Sequence, residues 1–457
     1  MQIGPRLRKL IFQFKIKYLK PKLYRTSLEN EQLQESGNLL DINFKKRKAL
    51  VQHAIKNSVF YREKYAELQI DLSKLSCEEE FKRLPILTRE ELRDNFSKLV
   101  ANSPKKEKFN KFYTSGSTGP AISVLQDTRR PLLPTQWRIL KWWGIQPYEN
   151  KAFVYRYPRT NLNTILNALI WWPTKRIFLT GSEMNHQNMN KFLVKFNRNK
   201  PTLLQGYVDL VYDFALYLKD HNLKIHSPKA VWVTSGPLSK QQRSTMQQVF
   251  KAPVYDQYGS TEIMYVSAEC KEQNGLHIMQ DLVHIECVDE NNRNVPFNKW
   301  GKILLTDLHN YAFPLIRYEI GDYGRLLEKK CSCGLPFPLM DQVSGRLTDV
   351  IQTPSGIQLY GHYLNTIFDE FPEKIREYQI FQTKNYSVQL LYVPMNKEEI
   401  GAIISNVISN LKQKLNFEID IKAIMVSKIE PINGKTPLII NHLILRKNNI
   451  LIDKNEF

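Results

Sequence analysis

The stretch that decides the fold most directly is residues 230–262, AVWVTSGPLSKQQRSTMQQVFKAPVYDQYGSTE. Ala230–Thr234 and Val254–Gln257 are short β-branched and aromatic runs, and the amphipathic stretch Lys240–Phe250 lies between them. A strand, a helix and a second strand in this order predict a parallel strand pair in a layered α/β sheet. The hydroxyl-rich turn after Gln257 then lies at the carboxyl end of a strand, where open α/β sheets bind ligands.

The same alternation continues on the N-terminal side of this unit, whereas the segments from His277 onward are strands alone. These strands predict a smaller antiparallel sheet, from His277–Met279, Val283–Val288, Gly301–Thr306 and Arg325–Leu327. Beyond Arg346, the strand patterns Tyr378–Thr383 and Val388–Tyr392 and the helical pattern Lys397–Leu415 predict an α+β unit.

We therefore predict three regions in an α/β protein. Residues 1–42 form a basic N-terminal extension. Residues 43–346 form a large layered α/β body with parallel-rich sheets and a smaller antiparallel sheet. Residues 347–457 form a small α+β C-terminal domain, and Gly345–Asp349 marks the boundary.

Composition limits the function classes. The 457 residues carry a net charge of +20, which favours anionic partners, but the charge is spread along the chain and no nucleic-acid recognition motif occurs. We therefore expect no specific nucleic-acid partner. Five cysteines do not make a disulfide framework. The sequence also has no long apolar run and no secretory signal pattern. Together with the cysteine count, this predicts a cytoplasmic protein.

The first 25 residues mix basic and apolar side chains, as an interfacial helix does. The basic residues are Arg6, Arg8, Lys9, Lys15, Lys17, Lys20 and Lys22. Two interpretations stay open: peripheral contact with a membrane surface, or a basic helix that packs its apolar stripe on the body of the protein.

A candidate phosphate-binding loop lies at Thr114-Ser115-Gly116-Ser117-Thr118-Gly119. Hydroxyl and backbone N–H groups donate to anionic oxygens, and glycine lets the backbone approach a phosphate closely. The same residue types also build ordinary surface turns.

Three further motifs carry chemistry suited to a nucleotide. In Tyr258-Gly259-Ser260-Thr261-Glu262 the ring can stack on a base, the threonine hydroxyl can bind a phosphate and the carboxylate can bind Mg²⁺. Asp322, in a Gly-Asp pair just past an apolar strand Pro314–Ile316, can accept hydrogen bonds from a ribose. Lys435 lies in a loop between two prolines, where a lysine is ordinarily only solvated.

In their order and spacing, these motifs resemble those of the adenylate-forming superfamily, and most closely phenylacetate-CoA ligase and the CapK-like proteins of capsular polysaccharide gene clusters. Val59–Arg62, Leu84–Arg89 and the cysteine pair Cys331-Ser332-Cys333 resemble further segments of that branch. The resemblance implies an ATP- and Mg²⁺-dependent ligase that activates a carboxylic acid as an acyl-adenylate. A thiol such as coenzyme A, or an amine such as an amino sugar, would then accept the acyl group.

The resemblance also implies residue roles. Thr114–Gly119 would hold the β- and γ-phosphates of ATP, and Tyr258 would lie against adenine beside Gly259. Thr261 would contact the α-phosphate, and Glu262 would bind Mg²⁺. Asp322 and Arg346 would hold the ribose. Lys435 would bind the α-phosphate and the substrate carboxylate during adenylation. The resemblance further implies that residues 43–346 are an adenylation body that binds AMP. It also implies that residues 347–457 are a mobile lid domain, which rotates between the two half-reactions.

Two departures from the family pattern leave an alternative open. Pro120 and Ala121 stand where many members carry a lysine and a proline, and the adenine-facing loop around Ser235 and Gly236 is one residue short. The alternative is a nucleotide-binding or scaffold protein of the same fold with impaired catalysis.

Cys270, His277, Cys331 and Cys333 supply four ligands, enough for a tetrahedral structural zinc site. Reduced thiols without a metal are the alternative interpretation. The sequence does not fix the oligomeric state.

Overall fold

The computed structural model describes residues 4–35, 37–70, 75–102, 109–113, 122–155, 161–181, 184–343, 350–360, 364, 374–395, 400–429 and 437–443. In this part of the chain, no helix has both the length and the apolar character needed to cross a bilayer.

The N-terminal region is helical. Its helices are α1 (Pro5–Phe14), a π-helical segment (Lys15–Leu19), α2 (Pro21–Glu35), α3 (Leu39–Asn57), α4 (Val59–Glu67), α5 (Glu78–Lys82), α6 (Arg89–Asp94) and α7 (Phe96–Leu99). Helix α6 begins with a capping box, in which the Thr88 hydroxyl accepts from the Glu91 amide and the Glu91 carboxylate accepts from the Thr88 amide. This cap fixes the start of α6, and therefore the position of Arg89.

A hairpin follows, made of β1 (Phe109–Tyr113) and β2 (Ser123–Asp127). The two strands are antiparallel and Tyr113 pairs with Ser123. The hydroxyl-rich stretch 114–119 therefore connects paired strands, although it lies outside the described residues itself.

The body is built on alternating strands and helices. They are α8 (Leu132–Trp142), β3 (Lys151–Tyr155), α9 (Asn161–Trp171), β4 (Arg176–Thr180), α10 (His186–Asn199), β5 (Leu203–Tyr207), α11 (Val208–Asp220), β6 (Ala230–Thr234), α12 (Lys240–Phe250) and β7 (Val254–Tyr258). Strands β7, β6, β5, β3 and β4 pair in parallel in that order. Val231 and Val233 pack against the core of α11, whereas Trp232, which points to the other face, contacts Trp143. Because both faces are covered, β6 is apolar from Ala230 to Val233 rather than alternating.

Seven strands follow: β8 (Ser267–Glu269), β9 (Leu276–Ile278), β10 (Val283–Val288), β11 (Gly301–Asp307), β12 (Tyr318–Gly324), β13 (Leu326–Leu327) and β14 (Leu339–Met340). Only β10, β11 and β12 form the smaller antiparallel sheet. The assignment of His277–Met279 and Arg325–Leu327 to that sheet is wrong. β8, β9, β14 and β13 instead extend the large sheet beyond β7, because each pairs with its neighbour there in antiparallel fashion.

Strand β12 also differs from the prediction. Pro314–Ile316 lies before the strand, and Gly321 and Asp322 are inside it rather than past it. Lys302 pairs with Tyr323 and Leu304 with Glu319, so β12 has two more residues than β11 across this interval. Gly321 lies in this bulge with φ +86°, a backbone conformation that glycine adopts without steric cost.

The C-terminal region contains β15 (Val350–Gln352), β16 (Gln358–Tyr360), β17 (Ile375–Gln382), β18 (Val388–Pro394), α13 (Ile400–Lys414), β19 (Ile421–Met425) and β20 (Ile439–Asn441). The sheet has the order β19-β18-β17-β20, with β17 and β18 antiparallel and both outer pairs parallel. Ile380 and Leu390 of the sheet share a core with Val407 and Leu411 of α13. The predicted fold class, a large α/β body with a smaller antiparallel sheet and a C-terminal α+β region, is confirmed.

Candidate functional site

The turn after β7 is held by the side chain of Ser260. Its hydroxyl oxygen accepts from the backbone N–H groups of Glu262 and Ile263, each at 3.1 Å. The Ser260 amide donates in turn to the Ile263 carbonyl at 2.9 Å. Tyr258, Gly259, Thr261 and Glu262 therefore lie in one tight turn at the carboxyl end of the strand, as the sequence predicts.

Gly259 is required by close packing. A Cβ at this position would lie 1.7 Å from the Met264 carbonyl oxygen and 2.8 Å from Nε2 of Gln257. No side chain fits there, so the glycine lets the backbone of the turn double back on residue 264.

Tyr258 and Asp322 are in contact. The Tyr258 hydroxyl donates to Oδ2 of Asp322 at 2.7 Å, which joins the end of β7 to the bulge of β12. Burial, reinforced by the Asp322 carboxylate, raises the pKa of Tyr258 well above its ordinary value, so the phenol stays protonated. The predicted base-stacking and ribose-binding residues are thus neighbours, although they come from different sheets.

Glu262 is 4% exposed, and two polar side chains of the described residues lie near its carboxylate. Nη1 of Arg89 and the hydroxyl of Tyr318 each lie 3.4 Å from its Oε1. Both distances are long for hydrogen bonds, so they hold the carboxylate loosely. Within the described residues, both contacts fall on Oε1, which leaves Oε2 as the oxygen to bind a cation. Mg²⁺ ordinarily uses one or two carboxylates together with substrate phosphates, and this residue fits that pattern.

Thr261 is linked to the hairpin. The side-chain amide of Gln126, on β2, donates to the Thr261 carbonyl oxygen. The strand that follows the hydroxyl-rich stretch is therefore in direct contact with the turn that carries Glu262.

The remaining predicted nucleotide contacts are only partly described. Ser235 and Gly236 follow β6 and are exposed, and Ser235 has φ +68°. Thr114–Gly119, Arg346 and Lys435 lie outside the described residues, and so do Pro120 and Ala121. Their roles stay predictions.

Arg89 and Tyr318 were not predicted to contact Glu262. Arg89 comes from the first turn of α6, and it lies 173 positions from Glu262 in sequence. The only sequence signal was indirect, because Leu84–Arg89 resembles a segment of the family without an assigned partner.

A second unpredicted group is a buried pair of carboxylates on β7 and β8. Oε2 of Glu269 accepts from the Asp256 amide at 2.8 Å, and Nη2 of Arg243 lies 2.8 Å from Oε1 of Glu269. Gln342 donates to Oδ2 of Asp256 at 3.3 Å. Burial and the neighbouring Glu269 raise the pKa of the Asp256 carboxyl well above its ordinary value.

The predicted metal ligands lie together. The ligand atoms of Cys270, His277, Cys331 and Cys333 are all within 4.8 Å of one another. The two sulfurs of Cys270 and Cys331 are 3.6 Å apart, and Sγ of Cys333 is 3.3 Å from Nε2 of His277. A tetrahedral zinc with Zn–S bonds of about 2.3 Å places its sulfurs about 3.8 Å apart, so the spacing suits zinc.

The hydrogen bond made by the second ring nitrogen of His277, Nδ1, leaves Nε2 as the nitrogen that can bind a metal. Nδ1 lies 3.0 Å from the Phe337 carbonyl oxygen, an arrangement in which Nδ1–H donates and Nε2 faces the thiols. Burial lowers the pKa of His277, which favours the neutral form that binds metals. The cluster joins the β8–β9 turn to the segment between β13 and β14, at one end of the large sheet.

Comparison with known proteins gives consistent relatives. No family model matches the chain. CapK of Staphylococcus aureus is 23% identical over 403 residues, which cover 85% of each protein. A phenylacetate-coenzyme A ligase of Thermus thermophilus is 22% identical over 341 residues, 73% of this chain and 76% of that enzyme.

A solved structure shares the fold. This chain is similar to 2-hydroxyisobutyryl-CoA ligase in the postadenylation state, in complex with R3-HIB-AMP, with a TM-score of 0.73. The match covers 89% of this chain and 90% of that one at 19% identity.

Proposed function

Since the chain belongs to the adenylate-forming superfamily, in the branch of phenylacetate-CoA ligase and the CapK-like proteins, we propose that it is an ATP- and Mg²⁺-dependent ligase. Its substrate is a carboxylic acid, which it activates as an acyl-AMP. The observation that carries the proposal is the Tyr258–Asp322 hydrogen bond, which brings the ring and the carboxylate proposed to bind ribose together beside the buried Glu262.

The first half-reaction joins the acid to AMP. A carboxylate oxygen of the acid attacks the α-phosphorus of ATP, and pyrophosphate leaves. Glu262 would hold Mg²⁺, which supplies positive charge against the phosphates when it is bound. Asp322 would accept from the ribose hydroxyls, while Tyr258 positions that carboxylate and lies along the base. Arg346, Lys435 and the donors of Thr114–Gly119 complete the proposed site, with Ser235 and Gly236 facing adenine.

The second half-reaction transfers the acyl group. The sulfur of a thiol such as coenzyme A, or the nitrogen of an amine such as an amino sugar, attacks the acyl carbonyl carbon. AMP leaves, and the attacking group loses its proton. For this step the C-terminal unit is proposed to act as a mobile lid. From the resemblance to the CapK-like proteins of capsular polysaccharide gene clusters, we also propose a role in surface polysaccharide biosynthesis.

Hydroxylamine trapping tests the proposal without knowledge of the natural acceptor. The full chain is incubated with ATP, Mg²⁺ and a panel of carboxylic acids, and hydroxamate and pyrophosphate are measured. We expect at least one acid to give both products, with Glu262→Gln reduced about a hundredfold. Glu67→Gln, an exposed acid at the end of α4, is the matched control and should equal wild type.

The alternative, a nucleotide-binding or scaffold protein with impaired catalysis, predicts a different result for the same purified protein. Calorimetry would show ATP and Mg²⁺ binding, yet no acid would support pyrophosphate release. Replacing hydroxylamine by coenzyme A or by an amino sugar then separates the two acceptor classes for an active enzyme.

Zinc is proposed as a structural metal at Cys270, His277, Cys331 and Cys333, on the strength of their spacing. All five cysteines are unpaired. Unpaired thiols and the use of ATP both suit the proposed cytoplasmic location.

A further inference from the structure

Helix α1 and the π-helical segment carry an apolar stripe that faces away from the body. It consists of Leu7, Leu10, Phe14 and Tyr18, which are between 53% and 62% exposed. Their spacings of three, four and four residues place them along one side of a helix. The opposite side is the one that packs on the protein, where the Phe12 ring lies 5.4 Å from Trp137 and Ile16 is buried. The segment therefore packs on the body on one side, as one sequence-based interpretation predicts, and exposes apolar residues on the other side.

Helix α9 is exposed and has no charged residue. Its sequence is NLNTILNALIW. Leu162, Ile165, Leu166, Leu169 and Ile170 are between 45% and 66% exposed, and the adjoining Trp172 is half exposed. A helix that is apolar on most sides is ordinarily covered by other groups. Large contiguous apolar patches on a protein surface mark interaction sites.

These two apolar regions adjoin. Nζ of Lys15 donates to the backbone carbonyls of Ile170 at 2.9 Å and Trp172 at 2.8 Å. The lysine thus ties the N-terminal helix to the end of α9. We call the exposed apolar side chains of α1, the π-helical segment and α9 together the N-terminal apolar surface.

The N-terminal segment that carries α1 and the π-helical segment has charge of a single sign in its sequence. The first acidic residue of the chain is Glu29, and eight lysines and arginines precede it. Arg6, Lys9, Lys17 and Lys20 are exposed, and none of the four forms an ion pair with a described residue. A basic border around apolar, tryptophan-bearing helices is the pattern of segments that lie in the plane of an anionic lipid interface.

We propose that the N-terminal apolar surface docks the protein on an anionic lipid bilayer, with α1 and α9 lying at the headgroup level. The basic border argues for lipid over a second copy of this chain, because a symmetric pairing through this surface would bring the uncompensated cations of both copies together. The proposal is independent of the reaction at Glu262.

Vesicle co-sedimentation of the full chain tests this docking. We expect binding to phosphatidylcholine vesicles that contain phosphatidylglycerol, at least about tenfold weaker binding without the anionic lipid, and release by salt. Ile165→Ser with Leu169→Ser should weaken binding at least about tenfold, and Lys9→Gln with Lys17→Gln should weaken it in an anionic-lipid-dependent way. Phe297→Ser with Phe417→Ser, which alters two exposed apolar residues elsewhere, is the control and should bind as wild type does.

Tryptophan quenching provides a second readout that does not depend on a disruptive double substitution. Lipids brominated in the acyl chain should quench part of the fluorescence, and Trp172→Phe should reduce that quenching while sedimentation persists. Failure of the wild-type chain to bind anionic vesicles at low salt overturns the proposal. So does equal loss in the control pair, or a wild-type dimer that the Ile165/Leu169 pair converts to monomer, since the surface would then be a self-interface.

Discussion

The hydroxyl of Tyr258 donates to Oδ2 of Asp322 at 2.7 Å, and this contact joins two strands that are 64 residues apart in sequence. Because burial raises the pKa of Tyr258 well above its ordinary value, the phenol is protonated at neutral pH and acts as a donor. The contact fixes the orientation of a carboxylate that is proposed to bind ribose.

Tyr258→Phe removes this donor and keeps the ring. We expect stability to fall by about 1 kcal/mol and the KM for ATP to rise about fivefold, because Asp322 loses its support. Thermal unfolding and initial rates at varied ATP measure the two effects. The prediction is contradicted if the KM for ATP is unchanged in Tyr258→Phe but much higher in Tyr258→Ala. ATP binding would then depend on the ring of Tyr258 and not on its hydroxyl.

Gly259→Ala tests the packing of the turn. The added methyl group would overlap the Met264 carbonyl, so the turn must move, at a cost of about 1–3 kcal/mol and with loss of activity. Gly401→Ala is the control, since a Cβ there meets nothing within 4 Å and alanine favours a helix. Equal unfolding temperatures and activities for the two variants would contradict the predicted overlap.

The Asp256 carboxyl predicts a pH dependence of stability. Its pKa is raised in the folded protein by burial and by Glu269, so the folded state favours the protonated acid. Its contribution to stability is therefore fully present below the ordinary aspartate pKa of about 4, and it is lost as the pH rises toward the raised value. Asp256→Asn should remove this dependence and be more stable than wild type at pH 8, by about 1–2 kcal/mol. Urea unfolding across pH measures it, and a variant with the wild-type pH profile would refute it.

Zinc at the four-residue cluster predicts about one equivalent of metal in the purified chain. Cys333→Ser should release it and lower Tm by at least about 3 °C, because the metal links two separate turns. Cys77→Ser, at an exposed cysteine outside the cluster, should keep both metal and Tm. If the wild-type chain holds no zinc after expression in zinc-containing medium, the result favours the alternative interpretation, in which the cysteines are reduced thiols without a metal.

The order of strands and helices in the body could be predicted because each element carries its own apolar period. Val231 and Val254 lie in runs that are recognisable without knowledge of their partners. The pairing of β9 with β14 could not be predicted, since short strands reveal no partner. The same holds for the bulge that places Asp322 inside β12, which depends on the register with β11.

The residues of the candidate site show the same difference between local patterns and contacts of distant segments. The turn from Tyr258 to Glu262 was predicted because its residues are adjacent in sequence and follow a clear strand. The contact between Arg89 and Glu262 was missed, because it depends on how the helical N-terminal region packs against the body. Local chemistry is visible in the sequence, whereas contacts between distant segments depend on the three-dimensional packing.

The most direct measurement of the central claim is acid-dependent exchange of labelled pyrophosphate into ATP, with calorimetry of ATP and Mg²⁺ on the same material. We predict exchange with at least one carboxylic acid in the panel, none without acid, and a loss of about a hundredfold in Glu262→Gln. ATP binding without exchange for any acid, or full exchange in Glu262→Gln, would contradict the account.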